Sequence, residues 1–171
     1  MNIFVTNPDP HVSAKVLPDK HVVKMPLETC QMLSIVFSHW YYDWGDDLVK
    51  KKDGTPYKTS KGAFSSHPCT IWANESLTNT WWLLKHGLAL CAEYTHRYGK
   101  VHSCQKTLEE AESIIPFSVP TTPTHFTRAM PDEYKHDTSI DTFTAYKNYI
   151  SSKPWASSNY LRDPSRKPNW I

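Results

Sequence analysis

The sequence predicts a mainly α, compact single-domain helical fold with three to four helices and long irregular connections. Three observations carry that prediction. Apolar residues recur at helical spacing over two long stretches, about Pro18–Tyr41 and His67–Gly99. Only residues 2–6 read as a strand, and no internal repeat is present. Thirteen prolines and several polar runs separate the helical stretches by long connections.

A chain of 171 residues suits one domain, 1–171, with a single core. Apolar residues at 39% and aromatics at 13% are enough to build that core, which excludes a disordered chain. The net charge of +2 excludes a strongly basic nucleic-acid binder, so any affinity for DNA must come from local patches. Seven Trp and nine Tyr exceed what a core of this size needs and leave flat rings for stacking at the surface. Cys30, Cys69, Cys91 and Cys104 form no CxxC pair, and no two of the nine histidines stand at HxH or HxxxH spacing. Neither a metal nor a cofactor is therefore expected. No glycine-rich phosphate loop is present. With no signal-like start and no run of ~18 apolar residues, the expectation is a monomer of a reducing cytoplasm that does not enter membranes.

In chain order, Met1–Thr6 is a short apolar segment, followed by the turn-rich Asn7-Pro8-Asp9-Pro10. The first long helix opens at Pro18 with Asp19 as N-cap or first-turn acid, and Pro26 inside it predicts a kink or a break. Residues 43–66, rich in Lys, Gly and Ser, read as a long flexible loop. His67-Pro68 starts a second helical stretch, with proline suited to a first helical position. It pauses near Asn74–Asn79 and ends at Gly99, while Leu77, Trp81, Leu84, Leu88 and Cys91 form its core stripe. A shorter helix covers Ser103–Ile115, a proline-rich connection covers Pro116–Pro131, and a last helix covers about Ser139–Ser152. Asp132-Glu133-Tyr134-Lys135 is either a pocket loop or a helix start. The tail, residues 153–171, interleaves Lys153, Arg162, Arg166 and Lys167 with Trp155, Tyr160 and Trp170, a composition suited to a nucleic-acid backbone or to packing on the domain.

The candidate reacting groups sit on the first long helix. At about 100° per residue, His21, Lys24, Glu28 and Gln31 share a wedge of roughly 80°. The wedge brings together an imidazole, an amine and a carboxylate, groups that can move protons or form an imine. A solvated Lys24–Glu28 ion pair would produce the same pattern. Elsewhere His67 either caps its helix or meets phosphate. Arg97, Tyr98 and Lys100 stand at a helix C-terminus, where they meet either the helix dipole or a phosphate.

Asp19, His21 and Glu28, followed by His67-Pro68, by Trp81–Arg97 with its Arg97-Tyr98-Gly99 end, and by Lys153-Pro154-Trp155, resemble the phage-type pyrimidine-dimer DNA glycosylases, the T4 endonuclease V family. The resemblance spans about two-thirds of the chain. It implies a DNA partner, duplex or modified, and an enzyme that flips a pyrimidine nucleotide out of the helix. An N-terminal α-amine then attacks the sugar C1′ and passes through an imine, with Glu28 stabilising charge and His21 beside it. It also implies DNA contacts through His67, Arg97, Tyr98, Lys100, Lys153, Trp155 and Arg162. For a phage protein the compartment is the host cytoplasm.

Three departures widen the reading. The family's N-terminal nucleophile is a small residue, whereas position 2 here is Asn2; asparagine generally leaves an initiator methionine in place, which moves the amine to Met1. Lys24 is an alternative amine. Leu27 and Gln31 stand where the family carries arginines. Two alternatives follow: a phage enzyme that transfers a small group, such as an amino acid, onto a modified pyrimidine in DNA, and a non-catalytic DNA-binding module.

Overall fold

A computed structural model of the chain describes residues 1–40, 49–58, 62–115 and 123–171, with the backbone alone for residues 39 and 40. Among them are seven α-helices: α1 (Pro10–Lys15), α2 (Asp19–Ile35), α3 (Pro68–Asn74), α4 (Leu77–Tyr98), α5 (Gln105–Ile114), α6 (Asp132–Lys135) and α7 (Thr142–Ser151). The fold is mainly helical, with no strand among the described residues. An isolated bridge joins Lys50 and Pro56 inside the long connection, of which residues 41–48 and 59–61 lie outside the described residues.

Residues 2–6 are not a strand, for a local reason. The backbone N–H groups of Ile3 and Phe4 donate to Asn2 Oδ1, and that of Thr6 donates to Ser13 Oγ. Donors that a ladder would use are thus bound by side chains, and Phe4 turns the chain with a φ of 42°. The next segment holds a helix where a turn was expected. Asp9 accepts from the N–H groups of His11 and Val12, and Pro10 occupies the first helical position of α1.

Helix α2 continues through Pro26 without a break and then winds into a π-turn over Val36–Trp40. Its N-terminus has no side-chain cap of its own. Instead the Asp19 N–H donates to the Asn159 carbonyl and the Lys20 N–H to Asn159 Oδ1, so the C-terminal tail caps the helix that carries the wedge. Among the tail's other anchors, Tyr160 donates to the Val16 carbonyl at 2.7 Å, the Arg162 N–H donates to Asp19 Oδ2, and Arg166 pairs with Glu93. Two 3₁₀ turns, Ala156–Ser158 and Pro164–Arg166, shape it.

Helix α3 opens at Pro68 with His67 as N-cap, Nδ1 accepting from the Cys69 N–H, and α4 ends at Gly99, whose φ of 65° is the left-handed conformation glycine tolerates. The core lies where α2 crosses α4. A Cβ on Gly87 would lie 2.6 Å from Thr29 Cγ2, so glycine is what lets the two helices approach there. Leu33, Leu83, Leu84 and Leu90 are fully buried around the crossing, and Leu108 brings α5 onto it. The stripe expected on α4 is rotated: Leu84 and Cys91 are buried, while Leu77, Trp81 and Leu88 pack only partly against the core. Thr80 and Asn79 take interior positions because their side chains bond to the Ala73 and Trp72 carbonyls. All four cysteines are buried and unpaired by disulfides.

Candidate active site

The wedge on α2 opens into a cleft of about 310 Å3 lined by Met1, Phe4, His21, Lys24, Glu28 and Trp155, among others. Glu28 lies at its floor, 5% exposed. Its Oε1 is 3.1 Å from Lys24 Nζ on the more exposed side, and its Oε2 is 3.6 Å from the α-amine of Met1. That second separation is an ion-pair distance beyond hydrogen-bonding reach, and Oε2 has no hydrogen-bond partner.

The N-terminal segment is anchored to bring its amine there. Asn2 Oδ1 accepts from the Ile3 and Phe4 N–H groups while Nδ2 donates to the Ala129 carbonyl at 2.6 Å. The Met1 sulfur accepts a hydrogen bond from the Thr70 hydroxyl of α3 at 3.3 Å. Phe4 holds a left-handed conformation that costs a non-glycine residue roughly 1–2 kcal/mol. That turn lays its ring on His21, centroids 3.9 Å apart and planes 19° apart, and beside Tyr149. Trp155 meets the edge of His21 at 5.5 Å.

His21 is thereby sealed between rings, with Nδ1 buried and without a partner. Burial first, and then the nearby charges of Lys153 and Lys24, lowers its pKa to about 3. The imidazole is neutral at physiological pH and can accept or donate a hydrogen bond, but it adds no positive charge. His67 borders the same region: burial and the charge of the chain's amino group lower its pKa, while Glu28 opposes them. Its Nδ1 is engaged in capping α3.

Two further cations stand around the cleft beside Lys24. Lys20 Nζ stands 4.6 Å over the Trp155 ring, Lys153 Nζ stands 4.0 Å over Tyr149, and the Lys24 side chain is 66% exposed. Glu28, His21, Lys24, Lys153 and Trp155 are thus brought together from sequence positions up to 134 apart (155 − 21). Asn2 lines the same cleft, with its side chain committed to the turn. Tyr98 and Arg162 lie around the rim of an adjoining cleft, and Lys100 is exposed past the end of α4.

Arg97 is placed inside the fold. Its side chain is fully buried, with Nη1 donating to the Leu17 carbonyl and Asp19 Oδ1, Nη2 to the Lys15 carbonyl, and Nε to Glu93. A guanidinium enclosed this way pins α1, α2 and α4 together and offers no donor to a phosphate.

Phe4, Lys20, Tyr149 and Thr70 escaped the sequence reading. Lys20 had a usable signal, one turn before Lys24 on the same face. Phe4, Tyr149 and Thr70 carried none, since they reach the site only through the fold. A larger cleft of about 600 Å3 lies between Phe126 and Phe143, but its Arg128 holds backbone carbonyls and its Asp141 caps α7. Among the described residues no three His, Cys, Asp or Glu are placed to hold a metal, and no helix is long and apolar enough to cross a membrane.

Comparison with known proteins gives a match to the family model described as pyrimidine dimer DNA glycosylase, over residues 1–106. No curated protein and no solved structure matches the chain. The matched segment contains Met1, His21, Lys24, Glu28 and Thr70, and stops before Tyr149, Lys153 and Trp155.

Proposed function

Because the chain belongs to the pyrimidine dimer DNA glycosylase family, we propose that it acts on DNA at the sugar of a pyrimidine nucleotide, by attack of the Met1 α-amine on C1′ assisted by Glu28. The observation that carries this reading is the Met1 amine standing 3.6 Å from a buried carboxylate oxygen that has no hydrogen bond.

The neutral amine donates its lone pair to C1′ as the C1′–N bond to the base breaks, and the departing base takes the bonding pair and a proton. Loss of a proton from the attacking nitrogen and opening of the sugar ring give an iminium ion between the chain and the deoxyribose. Removal of a C2′ proton then expels the 3′-phosphate by β-elimination, with cleavage of the C3′–O bond. Glu28 suits two parts of this sequence. Its charge stabilises the cation developing on the sugar, and its free oxygen can take the amine proton and return it to the ring oxygen.

Met1 is a better nucleophile than Lys24 by location and by class. The Lys24 side chain is largely in water, whereas the Met1 side chain is enclosed and its amine stands beside buried Glu28; α-amines are also less basic as a class than lysine amines. Neutral His21, packed between Phe4 and Trp155, supports the reading by keeping water and further positive charge from the back of the cleft. Lys20 and Lys153 suit the phosphates on either side of a nucleotide drawn out of the stack.

Borohydride reduction of a mixture with abasic-site DNA tests the proposal. A covalent adduct that maps to the peptide beginning at Met1 is expected. No adduct from a protein with a free Met1 amine overturns amine chemistry and leaves group transfer or non-catalytic binding. An adduct on Lys24 moves the nucleophile.

A further inference from the structure

A second cleft, of about 480 Å3, adjoins the first and has no part in the chemistry above. Val23, Tyr98, Leu161 and Arg162 wall it, and Lys20 and Lys24 stand on its rim. Both lysines also line the reaction cleft, so the two hollows share a ridge carrying two ammonium groups.

The wall is apolar and rigidly presented. Leu161 is 79% exposed and Val23 43%. Single exposed apolar side chains are ordinary, but these two face one hollow beside a tyrosine. Leu161 is fixed between Tyr160, whose hydroxyl donates to the Val16 carbonyl, and Arg162, whose N–H donates to Asp19 Oδ2 at 3.1 Å. Tyr94 and Tyr98 stack at 4.8 Å, and the Arg162 guanidinium lies 4.9 Å over the Tyr98 ring. The stack therefore ends in a planar cation. Asp19 also borders the cleft, but one of its oxygens is held by Arg97 and the other by the Arg162 N–H.

Resting on the reading of the chain as DNA-acting, we infer that this cleft takes the base of the nucleotide adjoining the reacting one on the same strand, with the phosphate between them on the Lys20–Lys24 ridge. A nucleobase is flat, with apolar faces and polar edges, and it stacks on a guanidinium plane and against aliphatic side chains whatever its sequence. Consecutive nucleotides are joined by one anion, and the two cations stand at the junction of the two clefts. Binding here would hold the strand in register while the neighbouring sugar enters the reaction cleft.

The test uses two oligonucleotides of equal length and charge, each with a tetrahydrofuran abasic analogue. One is flanked on both sides by 2-aminopurine and the other by spacers without bases. The protein is expected to bind the base-flanked strand about tenfold more tightly, with quenching of the aminopurine fluorescence. Leu161→Ser, at a side chain too exposed to matter for folding, is expected to bring that ratio close to one. Equal affinity for the two strands, or a preference that survives Leu161→Ser, overturns the subsite and leaves the DNA reading standing. Failure to bind either strand overturns the DNA reading and the subsite with it.

Discussion

Oε2 of Glu28 stands 3.6 Å from the α-amine of Met1 and accepts no hydrogen bond, although the residue is only 5% exposed. A buried acceptor left unpaired costs about 1–3 kcal/mol. The surrounding structure bears a second cost in the left-handed turn at Phe4, which sets the N-terminal segment against α2. Both costs fall at one cleft, and the two groups they position are the pair that the proposed attack at a sugar carbon would use.

Glu28→Gln is expected to lower the rate of adduct formation on abasic-site DNA by about 10²–10⁴. The amide keeps the shape and removes the charge and the proton acceptor. Its thermal midpoint should shift little, because relief of the buried charge is offset by the ion-pair partner that the Met1 and Lys24 amines lose. Single-turnover trapping and a melting curve on the same sample check both halves. Full activity in Glu28→Gln would remove this carboxylate from the mechanism.

Acid should weaken the fold before the carboxylates titrate. His21 and His86 are both held neutral, with pKa values lowered to about 3, chiefly by burial. In the unfolded chain each binds a proton near pH 6.5, so between pH 6.5 and 3 the unfolded state carries more protons. Stability therefore falls as pH drops through that window, by up to about 1.4 kcal/mol per pH unit for each residue. His86 stacks on Trp82 with its Nε2 unpartnered, which makes His86→Phe a shape-conserving probe. Urea midpoints at pH 7.5 and pH 5 should differ less in that variant than in the parent. An unchanged pH difference would mean that His86 titrates alike in both states.

The helices were legible because their signals are local. Pro68, Gly99 and the apolar periodicity mark α3 and α4 in any context, and Asp9-Pro10 would have marked α1 by the same rule. The wedge on α2 was legible for the same reason, as a spacing along one helix. What surrounds it was not. The cap on α2 comes from Asn159, 140 residues away (159 − 19), and Phe4 stacks on His21 through a turn that aromatic residues rarely adopt. Arg97 shows the opposite failure. Its position after a long polar face suggests the surface, yet Asp19, Glu93 and two carbonyls draw it inside, and no window of sequence contains those partners.

Arg97 and the cleft lysines should therefore separate in experiment. Lys20→Ala and Lys153→Ala are expected to lower DNA affinity and to reduce the slope of log K against log salt by about one each, with melting temperature nearly unchanged. Arg97→Gln is expected to destabilise the protein by about 3–5 kcal/mol, since it takes the guanidinium from buried Asp19 and from the Leu17 and Lys15 carbonyls, while Glu93 keeps Arg166. Salt titrations and denaturant melts on the three variants check this. A stable Arg97→Gln protein with weakened salt dependence would reverse the assignment.

Gly87→Ala should couple the core to the site. The added methyl would lie 2.6 Å from Thr29 Cγ2 and 3.1 Å from Leu108 Cδ1, so α2 must shift away from α4. Overpacking of this kind costs typically about 1–3 kcal/mol, partly offset by alanine's better helix propensity. Thr29→Ser removes the methyl in the way and should restore much of the loss in the double variant. Thr29 adjoins Glu28, so the same shift should lower the trapping rate at saturating DNA, with the double variant recovering it. Recovery of stability without recovery of rate would place the effect on the site elsewhere.

Thr70→Val probes how the amine is held. Thr70 is fully buried, and its hydroxyl donates to the Met1 sulfur at 3.3 Å. Valine keeps the volume and removes the donor. A hydroxyl–thioether bond is weak, so stability should change little. The methionine side chain would nonetheless lose the contact that fixes its direction, and the amine would sample positions farther from Glu28. Proximity effects are steep, since small displacements of a reacting group cost rate without cost to binding. A rate of adduct formation lower by about two- to tenfold at saturating DNA is expected, with the apparent affinity for DNA unchanged. Thr70→Ser, which retains the donor, should stay near the parent. If valine and serine behave alike, packing rather than the hydrogen bond positions Met1. If valine weakens binding and leaves the saturated rate intact, Thr70 acts on the DNA surface and not on the amine.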